Sequence, residues 1–191
     1  MVGNIPNYSK IDILRCFLRF NKKSGRQELS KELELGEGTI RTILQALKSR
    51  NLLDSTKKGH FLSKNGKELL EQINECIGMP RNLAISSFYP EFKKIGIVMK
   101  KYESLNEVYK LRDIAVKNGS EGALILKFEN GLYAPESGFK QDYSEMEKGF
   151  ALKNGDILIV AFSANNRNAE SGALAVASEL CKSLKKFINE F

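Results

Sequence analysis

The sequence predicts a two-domain protein of the α+β and α/β classes, a helical module followed by an α/β sandwich. Three observations predict this. Amphipathic helical patterns and one short basic hairpin occupy residues 1–80. Strand and helix patterns alternate through residues 81–191. Pro80 disfavours continuation of the helix that precedes it, so we place the domain boundary there.

The first domain opens with two predicted helices. Residues 8–20 place their apolar side chains on one broad face, and Ser9 can cap this helix. A second helix is predicted to begin at Ser24, with Gln27 at the spacing of a capping box. Leu35-Gly36 then supplies the turn, because glycine tolerates a positive φ.

The third predicted helix, residues 38–50, has two unlike faces. Its buried stripe consists of Ile40, Ile43, Leu44 and Leu47. The opposite face carries hydrogen-bonding side chains suited to base edges and phosphates, namely Thr39, Arg41, Thr42, Gln45, Lys48 and Ser49. Arg41 has the donor geometry for guanine and Gln45 for adenine, while the threonines suit phosphate or a thymine methyl group. The alternative is an ordinary solvated helix face.

Residues 52–62 predict a two-stranded hairpin with a basic tip. Lys57 and Lys58 precede Gly59, and such a tip can approach a phosphate backbone closely. Each phosphate neutralised steepens the salt dependence of binding by about one unit in the log–log slope. His60 is the only histidine, and at this position it is predicted to face solvent or phosphate rather than to catalyse. Ser63 is predicted to cap the next helix.

This order of elements is that of a winged helix-turn-helix module, with residues 38–50 as recognition helix and residues 54–62 as wing. The spacing Gly59-x-x-Leu62-Ser63-x-x-Gly66-x-x-Leu69-Leu70 resembles the wing-to-last-helix signature of prokaryotic winged helix regulators. Residues 37–41 resemble the start of their recognition helix. The resemblance covers residues 8–76 and implies sequence-specific DNA binding. The whole chain also resembles archaeal proteins that join such a module to an uncharacterised α/β domain.

The second domain is predicted to contain one mixed sheet with helices packed on it. Strands are predicted at residues 95–99, 123–128, 132–135 and 157–161, and residues 82–92 are either a strand or a connection. Asn130-Gly131 indicates a hairpin. A helix over residues 105–116 takes Ser104 as its N-cap and ends at Asn118-Gly119.

A long final helix is predicted over residues 169–187. Its apolar residues either pack on the core or form a dimer contact, and they continue to the end of the sequence as Leu180, Leu184, Phe187, Ile188 and Phe191. The segment before this helix is a candidate anion site, because a strand that leads into a helix N-terminus presents free N–H groups. The predicted ligand-binding residues are Ser163, Asn165, Asn166 and Arg167. The alternative is a plain loop in which Asn168 caps the helix.

Composition supports a polyanionic partner for the first domain. The formal charge is +7, and residues 1–80 carry 14 Lys/Arg against 9 Asp/Glu. Cys16, Cys76 and Cys181 have neither disulfide nor metal-ligand spacing, so no metal site or cofactor is expected. The sequence contains no signal-peptide pattern and no apolar run of bilayer-spanning length. We therefore expect a cytoplasmic protein with reduced thiols and no membrane partner.

The sequence thus predicts a DNA-binding transcriptional regulator rather than an enzyme. Its expected partner is double-stranded DNA, bound by a homodimer, and its second domain is expected to sense a small anionic effector or to dimerise. One alternative is a small-metabolite enzyme with a fused winged helix regulatory domain. Another is a winged helix that binds protein or RNA.

Overall fold

The computed structural model describes residues 8–102, 105–135, 137–138 and 141–191. The chain divides into two compact units. The first comprises the residues up to Gln72 together with Lys186–Phe191, and the second comprises Ile73–Lys185. This division differs from a single boundary at residue 80, because the last six residues of the sequence belong to the first unit.

The first unit contains three helices, a hairpin and the start of a fourth helix. These elements are α1 (Lys10–Phe17), α2 (Arg26–Leu33), α3 (Glu37–Ser49), β1 (Leu53–Thr56), β2 (Gly59–Leu62) and α4 (Lys64–Cys76). β1 and β2 pair in antiparallel register, with Leu53 opposite Leu62. The core is apolar and draws on every helix, as the fully buried Leu14, Leu29 and Ile43 illustrate.

The start of α1 follows the prediction. The Ser9 side chain accepts a hydrogen bond from the Asp12 backbone N–H, and the Asp12 carboxylate accepts from the Ser9 N–H at 3.0 Å. Arg15 is buried in the same unit, where it donates to Asp12 at 3.0 Å and to the Leu33 carbonyl at 3.1 Å. A buried guanidinium is tolerated only with such partners. The hydrogen bond from Arg15 to the Leu33 carbonyl therefore ties α1 to the end of α2.

Two predictions about the connections between these helices were wrong. Ser24 does not begin α2, whose N-cap is Gly25 without a side-chain hydrogen bond; instead Ser24 pairs with His60 as an isolated β-bridge. The left-handed residue after α2 is Glu34, at φ 56° and ψ 43°, whereas Gly36 has φ −62° and is the N-cap of α3. Glu34 ends α2 by donating its N–H to the Ser30 carbonyl. The positive φ of this turn is therefore taken by Glu34 and not by Gly36.

The second unit consists of a five-stranded sheet covered on both faces. Its elements are β3 (Arg81–Asn82), β4 (Lys93–Met99), α5 (Val108–Lys117), β5 (Gly122–Phe128), β6 (Leu132–Tyr133), α6 (Ser144–Glu147), β7 (Ile157–Ser163) and α7 (Asn166–Leu180). The final helix, α8 (Lys182–Asn189), begins in this unit and ends in the first. The strand order is β3-β4-β7-β5-β6, and every neighbouring pair is antiparallel.

The prediction of a mixed sheet was therefore wrong. The succession β4–α5–β5 predicts two parallel neighbours, because a helical crossover normally joins parallel strands. In the structure β7 lies between β4 and β5 and runs opposite to both. α5 and α7 pack on one face of the sheet. The other face is covered by an apolar cluster that includes Leu126, Tyr143 and Leu158, which explains why all of β7 is buried.

The remaining predictions for this unit differ in outcome. Of residues 82–92, only Asn82 lies in a strand. The hairpin at Asn130-Gly131 is confirmed, with Phe128 opposite Leu132. α5 begins at Val108, and its predicted cap Ser104 lies outside the described residues.

The single helix predicted over residues 169–187 is two helices in the structure. The chain is extended at Cys181, with φ −112° and ψ 116°, between α7 and α8. α7 belongs to the second unit, whereas the end of α8, from Lys186 onward, belongs to the first. Leu174 is buried in the second unit, whereas the Phe187 ring packs 5.1 Å from that of Phe17 in the first.

Candidate nucleic-acid interface

α3 presents a polar face to solvent because its apolar face is fully used. Ile40, Ile43 and Leu47 are completely buried, and each such side chain contributes about 1.5–3 kcal/mol relative to exposure. Arg41 and Gln45, on the opposite side, are exposed. The helix is therefore held rigidly by one side while the other remains available.

The individual polar residues of α3 differ in how much of their hydrogen-bonding capacity is already used. Thr42 is exposed, but its hydroxyl donates to the Gly38 carbonyl at 3.2 Å. Thr39 and Lys48 are half-buried. The Lys48 ammonium donates to the Ser55 hydroxyl at 2.5 Å, so it links α3 to strand β1. Lys48 thus joins the helix to the hairpin.

The hairpin tip is formed by Lys57 and Lys58, between the paired residues Thr56 and Gly59. Both lysines are exposed, and no carboxylate of the described residues lies within ion-pair distance of either. Gly59 has φ 125°, a region that is nearly closed to other residues. A Cβ here would lie 2.9 Å from the Ser24 carbonyl oxygen, so only glycine fits at this point of the hairpin.

The segment before α2 supports the hairpin as a third, one-residue strand. The Ser24 N–H donates to the His60 carbonyl at 3.1 Å, and the His60 N–H donates to the Ser24 carbonyl at 3.0 Å. This pairing fixes the hairpin relative to the start of α2. It also explains the wrong helix prediction at Ser24, since a backbone paired on both its groups is extended.

This pairing brings a cation to the hairpin that sequence reasoning missed. The Lys23 ammonium donates to the Thr56 hydroxyl at 2.5 Å and lies 5.5 Å from the centroid of the Phe61 ring. Lys23 is exposed, so its charge adds to that of Lys57 and Lys58 on one surface. The adjacent lysines at residues 22–23 were the feature of the sequence that could have indicated a further cation at the hairpin. Its significance depends on the Ser24–His60 bridge, which local patterns do not reveal.

His60 lies in β2 rather than at the extreme tip, and it is half-buried. Its Nδ1 is shielded from solvent and has no hydrogen-bond partner among the described residues. Burial, followed by the nearby charges of Lys48 and Arg26, holds the pKa of His60 below its usual value of 6.5. The charged form of the imidazole is therefore disfavoured in the folded protein by burial and by the cations beside it.

We call the exposed side chains Arg41, Thr42 and Gln45 together with Lys23, Lys57 and Lys58 the α3–hairpin surface. All six belong to the first unit. Five residues of this surface, Arg41, Thr42, Gln45, Lys57 and Lys58, are among those that the sequence predicts to contact DNA, and all five are exposed. The structure places Thr39, Lys48 and His60 in half-buried positions beside it.

The second predicted site, at residues 163–167, is internally hydrogen-bonded. Ser163 is fully buried and its hydroxyl donates to the Gly119 carbonyl at 3.4 Å. Asn165 is the N-cap of α7, and its side-chain oxygen accepts from the Asn168 N–H at 2.8 Å. Asn166 and Arg167 form the first turn of that helix and are half-buried. The cap is thus Asn165 rather than Asn168.

Metal sites, membrane-spanning helices and reactive cysteines were also considered for the described residues. Within residues 8–102, 105–135, 137–138 and 141–191, no group of three or more His, Cys, Asp or Glu side chains is arranged to hold a metal ion. No helix among these residues is long and apolar enough to cross a bilayer. Burial raises the pKa of the Cys16 thiol to about 12, which suits an inert core residue.

Two family models match the chain in succession. Residues 11–68 match the model described as "PH0730-like, N-terminal domain", and residues 90–180 match "Domain of unknown function (DUF4443)". The first match spans α1 to the beginning of α4, which includes the α3–hairpin surface. The second spans most of the antiparallel sheet and α7. A search of curated proteins finds no significant match.

Two solved structures were compared with this chain. S. agalactiae BusR in complex with its busAB-promotor DNA is 13% identical over 87% of this chain and 94% of that chain. Its TM-score of 0.24 is too low to indicate a common fold. The hypothetical protein PH0730 from Pyrococcus horikoshii OT3 is 28% identical, with a TM-score of 0.78. That alignment covers 95% of this chain and 100% of the other. In both matched segments and in fold, the chain is similar to this archaeal protein.

Proposed function

We propose that the protein is a DNA-binding transcriptional regulator whose first unit is a winged helix-turn-helix module. One observation carries the proposal: the exposed polar side chains of α3 and the exposed lysines of the hairpin tip lie on one compact unit, in which the Lys48–Ser55 hydrogen bond links the helix to the hairpin. α3 is the recognition helix, which enters the major groove. The hairpin β1–β2 is the wing, which contacts the phosphate backbone.

The chemistry of α3 suits direct reading of bases. Arg41 can donate two hydrogen bonds to O6 and N7 of guanine, and the Gln45 amide can pair with N6 and N7 of adenine. These residues are four positions apart, so they lie one above the other on the same helix face. Thr42, whose hydroxyl is used by the Gly38 carbonyl, presents its methyl group and suits a thymine methyl.

The wing contributes affinity without sequence preference. Lys57 and Lys58 are exposed point charges that can each neutralise a phosphate. Lys23 adds a third cation, held in place by Thr56 and by the Phe61 ring. Lys48 acts mainly by fixing the helix and wing in one geometry, because its ammonium already binds Ser55.

The proposal includes a homodimer that binds two half-sites. Two linked recognition helices multiply affinity, because the second contact becomes intramolecular once the first has formed. The half-sites would then be spaced by about one helical turn of DNA or a multiple of it. Light scattering of the protein with and without duplex measures the stoichiometry, and one chain per bound duplex would remove this part of the proposal.

The wing is tested by salt titration. Fluorescence anisotropy with a labelled duplex of mixed sequence should give a log–log salt slope that is about two units shallower for Lys57→Ala/Lys58→Ala than for the wild type. Lys64→Ala/Lys67→Ala removes the same charge from exposed positions of α4 and serves as the matched control. Its slope should remain that of the wild type.

The recognition helix is tested by selection from a random duplex library. Arg41→Ala and Gln45→Ala should each relax the preference at one base position, at a cost of about 1–3 kcal/mol for the preferred base. Their salt slopes should change much less than that of the double lysine variant. Two outcomes contradict the proposal: a wild type with no affinity for duplex DNA at low salt, or variants that select the same sequences as the wild type.

A further inference from the structure

The second unit contains a cleft of about 570 Å³ beside strand β5. The cleft exists because β5 lacks a complete outer neighbour. β6 pairs only with Lys127 and Phe128, so residues 122–126 of β5 have β7 as their one strand partner among the described residues. These residues line the cleft. Its volume lies in the range of pockets that hold small organic molecules.

One wall of this cleft is aromatic. The Tyr89 and Phe162 rings stack with centroids 4.1 Å apart and an interplanar angle of 18°, and Phe92 extends the stack. Gly122 makes room for this arrangement, because a Cβ there would lie 2.6 Å from the Phe162 ring. The wall is thus a flat surface to which another ring can stack.

Tyr89 is held in that wall under backbone strain. Its φ is 46°, in the left-handed region that non-glycine residues seldom adopt. The side chain nevertheless remains 43% exposed, which is high for a large aromatic residue in a stack. Strained residues of this kind concentrate at ligand sites. The exposed face of Tyr89 therefore favours a ligand over simple core packing.

Arg112 provides the polar end of the cleft, as the one cation among its described lining residues. Arg112 on α5 lines it, and the Arg112 Nε is shielded from solvent without a hydrogen-bond partner among the described residues. A buried donor without a partner costs free energy, so each such case calls for an explanation. Tyr143 lies close enough for the Arg112 charge to oppose the effect of burial on its pKa. The Tyr143 hydroxyl donates to the Gln141 side chain at 3.3 Å.

We propose that this cleft binds a small organic anion with a flat aromatic body, whose charged group pairs with Arg112 while its ring stacks on Tyr89. A guanidinium binds carboxylate, sulfonate and phosphate oxygens through paired N–H groups, so the site recognises the charge and the ring rather than one particular acid. The proposal does not depend on DNA binding by the first unit. If both hold, the ligand is the effector of the regulator.

Two other places in the second unit are less suited to such a ligand. At residues 163–167, Ser163 and Asn165 already have internal partners. A cleft of about 380 Å³ is lined by Arg81, Lys100, Lys101 and Lys153. All four of these cations are exposed, so water solvates them without a ligand. Arg112 differs because it is half-buried and lines a cleft that also has an aromatic wall.

The proposal is tested with the full chain and 1-anilinonaphthalene-8-sulfonate, an aromatic anion that fluoresces when bound in an apolar site. Arg112→Gln should weaken its binding by about tenfold or more, because a charge-assisted hydrogen bond is lost. The uncharged N-phenyl-1-naphthylamine should bind wild type and Arg112→Gln equally. Tyr89→Ala should weaken both probes, since it removes the stacking surface.

Arg81→Gln and Arg167→Gln are the matched controls, because each removes one arginine from a competing place in the same unit. Both should bind the anionic probe as the wild type does. The thermal unfolding midpoint of Arg112→Gln should not fall below that of the wild type, because Arg112 Nε has no hydrogen-bond partner to lose among the described residues. The proposal is overturned if the wild type does not bind the anionic probe, if Arg112→Gln binds it normally, or if Arg81→Gln or Arg167→Gln loses as much affinity.

Discussion

The α3–hairpin surface and residues 163–167 are both polar segments beside a helix, but their polar groups are used differently. On α3, Arg41 and Gln45 are exposed. In the second segment, Ser163 is buried against the Gly119 carbonyl and Asn165 caps α7. Similar residue types thus serve an outward surface in one place and the protein's own backbone in the other.

This difference bears on which polar residues can bind a partner at little energetic cost. A polar side chain with an internal partner must give that partner up before it binds anything else, which costs about as much as the new bond yields. An exposed side chain exchanges only water. The α3–hairpin surface therefore meets the energetic condition for recognition more readily than residues 163–167 do.

The largest expected effect comes from breaking the support of the hairpin. Gly59→Ala should lower the free energy of unfolding by about 2–4 kcal/mol, because the added Cβ lies 2.9 Å from the Ser24 carbonyl and φ is 125°. Urea unfolding followed by circular dichroism measures this. Gly38→Ala, where nothing lies within 4 Å, is the control and should raise the free energy of unfolding by up to about 1 kcal/mol. Equal stability of Gly59→Ala and the wild type would contradict the Ser24–His60 pairing.

A smaller effect is expected from the cap of α7. Asn165→Ala should lower the free energy of unfolding by about 1 kcal/mol, because the Asn168 N–H loses its acceptor. DNA affinity should be unchanged, which separates this segment from the α3–hairpin surface. A variant with normal stability but weaker binding of DNA would reverse the comparison.

The smallest effect concerns pH. Because the pKa of His60 is lower in the folded protein than its usual 6.5, the unfolded chain binds this proton first as the pH falls. The stability associated with the neutral imidazole is therefore present above about pH 6.5 and is lost below it. The thermal unfolding midpoint of the wild type should therefore fall more than that of His60→Gln when the pH is lowered from about 7.5 to about 5.5, a range that brackets the ordinary pKa of about 6.5. Parallel pH profiles of the two proteins would show that the imidazole is not perturbed.

Sequence patterns predicted the features that depend on neighbouring residues. The buried stripe of α3 follows from helical spacing, the Ser9 cap from a local hydrogen bond, and the hairpin at Asn130-Gly131 from its turn residues. The exposure of Arg41 and Gln45 was predicted in the same way, because the face opposite a buried stripe must point outward.

The features that sequence patterns missed depend on residues far apart in the chain. The local pattern predicts that Ser24 is a helix cap, whereas in the structure it pairs with His60, which lies 36 positions later in the sequence. The sequence pattern predicts that β4 and β5 are parallel neighbours, but in the structure β7 lies between them. The cleft at Arg112 requires both the short β6 and the stacking of Tyr89 on Phe162, and no local pattern predicts either.

The packing of Phe187 on Phe17 has a consequence for how the protein is made. The Phe187 and Phe191 rings pack at an interplanar angle of 44° with centroids 5.0 Å apart, and the guanidinium of Arg50 lies 5.5 Å from the Phe191 ring. During translation these aromatic rings leave the ribosome after the entire second unit has been synthesised. The hydrophobic interior of the first unit is therefore completed only after the second unit has been synthesised, and a fragment that ends at residue 72 lacks the rings that fill it.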